Sequence, residues 1–260
     1  MKVCLSSRQA GSYLVHADEI KVQYRDRAVI PELAEKYPKA TIILRQDIKE
    51  PIDFNECEKY KILTRDKLMI CLNDLSVANE CKRHEIPFYW GWRVQTYSQL
   101  NSLKFLGVSY VLLDAPLFFE LDKVKSKEIP IRAIPNVAYA DNIPRIDGVS
   151  GTWIRPEDMD AYEEYIDVIE FEDCDELKEQ ALYRIYCVEK EWVTDLGGLI
   201  TDLNHIGNNR FIRSEESRRR INCGQRCESN GTCHICRQML NLANIELIKT
   251  FGTPLPINVD

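Results

Sequence analysis

The chain has 260 residues, 45% of them hydrophobic, enough for a sizeable core in one large α/β barrel or two smaller domains. A formal charge of -7 argues against indiscriminate nucleic-acid binding by the whole surface. No apolar run approaches the roughly 20 residues of a membrane span, and the N-terminal MKVCLSSRQAGSYLVHADE lacks the apolar core of a signal peptide. A cytoplasmic protein with no membrane partner is expected, its ten cysteines kept reduced.

From the N-terminus, short β-branched apolar runs alternate with polar or amphipathic stretches. The runs are 2–6, 19–23, 41–46, 68–73, 88–94, 110–114, 129–134, 152–155 and 166–171, nine in all, one more than a closed barrel needs. Crossover helices are expected over 28–36, 76–84 and 97–106. Gly107 follows the last of these as a helix stop, and Pro87 and Pro130 sit at strand entries. This alternation predicts a parallel sheet with both faces covered. No glycine-rich phosphate loop follows the first strand, so a (β/α)8 TIM-barrel-like parallel barrel over 1–173 is preferred to an open doubly wound sheet.

In such a barrel ligands meet the C-terminal ends of the strands. Polar residues fall there: Ser6, Ser7 and Arg8; Gln23 and Arg25; Arg45, Gln46 and Asp47; Asn73 and Asp74; Arg93 and Gln95; Asp114; Asn136; Glu157 and Asp158; Glu170 and Glu172. Arg45, Arg93, Arg132 and Arg155 lie inside or at the ends of otherwise apolar runs. An arginine in that position needs an acidic partner or an anionic ligand. Asp114, Glu157 and Glu170 are the acids placed to partner them or to act as general acid or base; Arg93, Arg132 and Arg155 are the expected substrate binders. The stretch 135–151, with Pro135, Pro144 and Asp147-Gly148, reads as a long loop placed to cover the strand ends. Pro156 opens a helix whose first turn carries Glu157 and Asp158, residues that also suit helix capping.

A C-terminal helical, cysteine-rich extension is expected over 174–260. Its first part, 174–192, carries apolar residues at Leu177, Leu182, Ile185, Tyr186 and Val188, the pattern of an amphipathic helix broken by Gly197-Gly198. Further on, Cys223, Cys227, Cys233 and Cys236 are spaced C-x3-C-x5-C-x2-C. Four converging thiolates satisfy a tetrahedral zinc site or an iron–sulfur cluster such as [4Fe-4S], and the spacing does not separate the two. His234 lies inside the cluster as an alternative ligand. Residues 205–240 carry seven Arg against three acids, a basic stretch suited to an RNA backbone or an anionic substrate, or to i,i+4 pairing of Glu215 with Arg219 and Glu216 with Arg220.

The segment Trp153-Ile-Arg-Pro-Glu-Asp-Met159, with Tyr162-Glu-Glu-Tyr-Ile-Asp-Val-Ile-Glu170 after it, resembles the peptidase U32 family, whose members carry a similar IRPEDL segment followed by a strand. Leu106-Gly-Val-Ser-Tyr-Val-Leu-Leu113 is similar to that family's helix, Leu-Gly turn and strand, and cysteines beyond the barrel are a third shared feature. The resemblance implies a barrel enzyme with an iron–sulfur cluster held by Cys223, Cys227, Cys233 and Cys236, used for oxygen-independent hydroxylation of RNA bases or quinone precursors. Two features depart from the family: the four cysteines are packed closely together, and the usual histidine-glycine strand end is missing. The alternative is a non-catalytic binding or assembly protein with a structural zinc site and a basic C-terminal arm contacting RNA or a protein.

Overall fold

The computed structural model describes residues 1–9, 11–48, 50–137, 152–171 and 174–191, together with the single residues 218, 221, 223, 238, 242, 245 and 249. Eight strands are present among them: β1 (Lys2–Ser6), β2 (Glu19–Gln23), β3 (Thr41–Arg45), β4 (Leu68–Leu72), β5 (Phe88–Trp90), β6 (Val111–Leu112), β7 (Ile131–Ala133) and β8 (Val168–Ile169). They form one sheet in the order β5-β4-β3-β2-β1-β8-β7-β6, and every registered pair is parallel. The two ends of this order are joined by backbone bonds, Ser109 N–H to Phe88 O at 2.8 Å and Val94 N–H to Leu112 O at 2.7 Å. The sheet is therefore a nearly closed α/β barrel of TIM type.

Burial explains why these residues make such strands. All five positions of β4 are buried, as are Ile20 and Val22 of β2 and Ile42, Ile43 and Leu44 of β3. A strand covered on both faces needs apolar side chains in both directions, which gives the continuous runs visible in the sequence. The barrel interior is filled by Cys4, Ile43, Met69, Cys71, Tyr89 and Val168, with Tyr110 against them. Since side chains alternate along a strand, Glu19, Lys21 and Gln23 of β2 share the inward face, and Arg45 shares that of Ile43.

The helices are α1 (Gly11–Leu14), α2 (Ile30–Lys36), α3 (Phe54–Leu63), α4 (Ala78–Arg83), α5 (Tyr97–Leu106), α6 (Ala115–Phe118), α7 (Leu121–Lys125), α8 (Met159–Tyr162) and α9 (Glu176–Tyr183). α5 spans the expected bounds. Thr96 and Gln99 form a reciprocal capping box at its start, and Gly107 stops it with φ 74°. α3 has a capping signal too, Asp53, whose carboxylate accepts from Asn55 N–H at 2.9 Å.

Two compact units emerge from the chain. The first comprises Met1–Leu112, Ile129–Arg132 and Asp167–Glu170, and holds all eight strands except the last residue of β7. The second comprises Leu113–Glu128, Ala133–Ile166 and Phe171–Asp260. Within it Phe118 stacks on Tyr162 at 5.6 Å, and the buried Tyr186 hydroxyl donates to Ile154 O at 2.7 Å.

Two expectations change, and others fall outside the described residues. The run 152–155 is not a strand: Thr152 Oγ1 donates to Ile134 O at 2.5 Å and Ile154 N–H to Pro135 O at 3.0 Å, so its buried Trp153 and Ile154 pack as irregular backbone of the second unit. The helix at 174–192 is α9 followed by a π-helical turn, Arg184–Glu189. Leu182, Ile185 and Tyr186 are buried there as expected, but Leu177 and Val188 are exposed. Most of the loop 135–151, the Gly197-Gly198 break and the basic stretch up to residue 217 lie outside the described residues. No helix among the described residues is long and apolar enough to cross a membrane.

Candidate functional site

Inside the barrel, four charged side chains from β2, β7 and the end of β8 converge. Arg132 on β7 is fully buried; its Nη2 donates to Glu19 Oε2 on β2, and its Nη1 to Glu170 Oε2 just past β8 at 2.9 Å. Lys21 Nζ donates to the same Glu170 oxygen at 2.6 Å. The guanidinium lies over the rings of Tyr89 and Tyr110, 4.5 and 5.1 Å from their centroids. Two carboxylates thus match two cations, and these four groups are formally neutral together.

Depth separates them. The side chains of Arg132 and Glu19 are 0% and 1% exposed, whereas Lys21 and Glu170 keep 15% and 9%. Lys21 and Glu170 therefore form the wetter end of the network. Burial opposes ionisation of Glu170, but Lys21 and Arg132 together outweigh it and hold the carboxyl down at about 2. Burial likewise opposes the Lys21 charge, and Glu170 more than restores it, so its pKa is raised. The interior thiols are inert: burial pushes Cys4 up to about 12 and raises Cys71.

Arg45 ends β3 at the mouth. Its Cα partners are Gln23 on β2 and Cys71 on β4, and its charge is felt by the Cys71 thiol within. The side chain is half-buried, and among the described residues neither a carboxylate nor a hydrogen-bond acceptor engages it. The backbone beside it is braced. Gln46 is buried, its Oε1 accepts from Asn73 N–H at 2.9 Å and Asp74 N–H at 3.0 Å, and its carbonyl accepts from Asn73 Nδ2 at 2.6 Å. Trp92, half-exposed, donates its indole N–H to Asn73 O at 3.0 Å. Gly91 allows the close approach of these segments, since a Cβ there would stand 2.7 Å from Cys71 Sγ and 3.3 Å from Leu72 O.

Of the residues expected from sequence to form a site, the structure joins Arg132 and Glu170. Arg132 is an internal ion-pair partner, its two terminal nitrogens taken by protein carboxylates. Glu170, held near 2, has no proton to give at neutral pH and acts as an acceptor. Arg155 and Glu157 pair with each other in the second unit, with Nη2 to Oε1 at 3.2 Å. Asp114 is buried there too, and its backbone carbonyl accepts from Phe118 N–H at 3.0 Å. Arg93 is half-buried beyond β5. Cys223 is half-buried, while Cys227, Cys233, Cys236 and His234 lie outside the described residues. Among the described residues no group of three His, Cys, Asp or Glu is arranged to hold a metal ion. Glu19, Lys21, Tyr89 and Tyr110 belong to the network without having been singled out from sequence. The signal was the alternation Glu19-Ile-Lys21-Val-Gln23, polar at every second position of a strand whose other face is wholly apolar.

No protein-family model matches the chain, and no curated protein matches it either.

Proposed function

We propose that the C-terminal mouth of the barrel binds a small anionic molecule and that Arg45 is its anchor. The observation that carries this reading is a half-buried guanidinium, on the inward face of a barrel strand, without a protein partner among the described residues. The other strand arginine, Arg132, is matched by Glu19 and Glu170, and Arg155, in the irregular run 152–155, is matched by Glu157. A partly desolvated cation gains most from a charge-assisted, bidentate acceptor, and a ligand carboxylate or oxyanion supplies one. The reading agrees with the anionic substrate of a U32-like barrel enzyme, whose redox chemistry would come from Cys223, Cys227, Cys233 and Cys236. The described barrel residues supply recognition, because Glu170 stays ionised and both interior thiols stay protonated.

Titration calorimetry with small carboxylates and oxyanions, on wild type and Arg45→Gln, tests it. A bidentate charge-assisted contact is worth about 1.5–3 kcal/mol, so the variant loses roughly tenfold to a hundredfold in affinity with its melting temperature unchanged. Equal anion binding in the two proteins, or none in wild type, refutes the assignment.

A further inference from the structure

An exposed ring stands at the same mouth as Arg45. Trp92 follows the end of β5 and is 52% exposed, yet its side chain is fixed, because the indole N–H donates to Asn73 O at 3.0 Å. Asn73 follows β4, so the indole reaches back over the end of the strand that separates β5 from β3, where Arg45 lies. Asn73 is held in turn from the β3 side: its Nδ2 donates to the carbonyl of Gln46, the residue after Arg45, at 2.6 Å, and its N–H to Gln46 Oε1 at 2.9 Å. Cys71, the strand partner of Arg45, stands two residues before Asn73. One strand spacing across and two residues along put the Arg45 and Asn73 Cα atoms about 8 Å apart, the scale of a single ring with a short acidic arm. Among the described residues no ring or cation packs on the face of Trp92.

We infer that the anion bound at Arg45 carries a flat, unsaturated ring and that Trp92 is the platform on which this ring lies. The inference rests on the anion-binding reading and adds the class of ligand to it. An indole fixed by its N–H edge has already lost the freedom that a loose side chain gives up on binding. Its exposed face is apolar surface that a stacked ring removes from water. An offset flat ring adds an attraction between the two π-systems that a saturated ring of the same size lacks. The guanidinium and the indole thus take the two ends of one molecule, the charge at Arg45 and the ring at Trp92.

Acetate, cyclohexylacetate and phenylacetate carry the same charge, and the last two differ chiefly in whether the ring is flat. The test titrates all three into the full chain as wild type, Trp92→Leu, Trp92→Phe and Arg45→Gln. Phenylacetate is expected to bind wild type about tenfold tighter than acetate, a factor that corresponds to about 1.4 kcal/mol, and about threefold tighter than cyclohexylacetate. Trp92→Leu abolishes the preference for phenylacetate over cyclohexylacetate, and Trp92→Phe, which keeps a ring but no N–H, retains most of it. Phenylacetate no tighter than acetate or cyclohexylacetate, or a preference that survives in Trp92→Leu, overturns the inference; the anion site still stands if acetate binding falls in Arg45→Gln. A preference lost equally in Trp92→Phe makes the indole a brace for Asn73 and overturns the inference as well. Phenylacetate binding unchanged in Arg45→Gln, or no binding of any of the three to wild type, overturns both readings.

Discussion

Replacing Glu170 by Gln removes the charge that Lys21 and Arg132 share while keeping the shape and one acceptor oxygen. The carboxyl falls from an ordinary 4.5 to about 2 in the folded chain. At about 1.4 kcal/mol per pH unit, that difference makes the charged form worth on the order of 3 kcal/mol to the fold. An independent argument agrees, since stranding one partner of a buried ion pair typically costs about 3–5 kcal/mol. The sign follows from the direction of the shift. A depressed carboxyl contributes its full stability above its unfolded value and loses it as the pH falls through 4.5 toward 2. Urea unfolding at neutral pH should therefore show Glu170→Gln destabilised by about 3 kcal/mol, and the gap from wild type should close as the pH is lowered to 2. Other carboxylates titrate in both proteins and cancel in the difference. A gap of the same size at pH 7 and pH 2.5 would mean that the variant fails by packing and that the ion pairs contribute nothing to the fold.

Two further outcomes are expected. Gly91→Ala forces a Cβ to within 2.7 Å of Cys71 Sγ, so thermal unfolding should show a loss of about 1–3 kcal/mol, part of it restored when Cys71→Ala is added. A Gly91→Ala variant as stable as wild type would show that the β4 and β5 ends are not held as described. Anaerobic purification followed by iron, sulfide and zinc analysis should find either a cluster or one zinc per chain, lost in Cys233→Ala; a metal-free wild type would remove the thiol tetrad from the functional reading.

The barrel was legible because its strands are buried on both faces. Runs such as Ile42-Ile43-Leu44 and Leu68 to Leu72 have no polar face to disguise them, and the turn chemistry at Gly107 and the Thr96 box marks α5 to the residue. The run 152–155 misled for the same reason. Burial of Trp153 and Ile154 is real, but apolar pattern reports burial and not hydrogen-bond partners, which here are the carbonyls of Ile134 and Pro135. α3 was hidden by the opposite circumstance. It buries only Cys57 and Tyr60 and leaves Ile62 and Leu63 exposed, so it has no apolar stripe, and only its Asp53 cap announces it.

The candidate site was half legible, and the reason lies in the geometry of a covered barrel. A charged residue inside a strand run has only two directions to face, outward under the helices or inward. The outward face of β2 is taken by Ile20 and Val22, both 0% exposed, so Glu19, Lys21 and Gln23 have only the interior left. Once they are inside, burial demands partners, and the candidates are charged residues at inward positions of other strands: Arg132 and Glu170. What sequence does not supply is the matching itself, because Arg132 meets Glu19 across 113 residues and Glu170 across 38. Only after the barrel closes and these pairs are drawn off does Arg45 stand out as the strand arginine for which the described residues hold no counter-charge. The residue on which the anion-binding proposal rests is thus identified by subtraction, which requires knowing the other partners first.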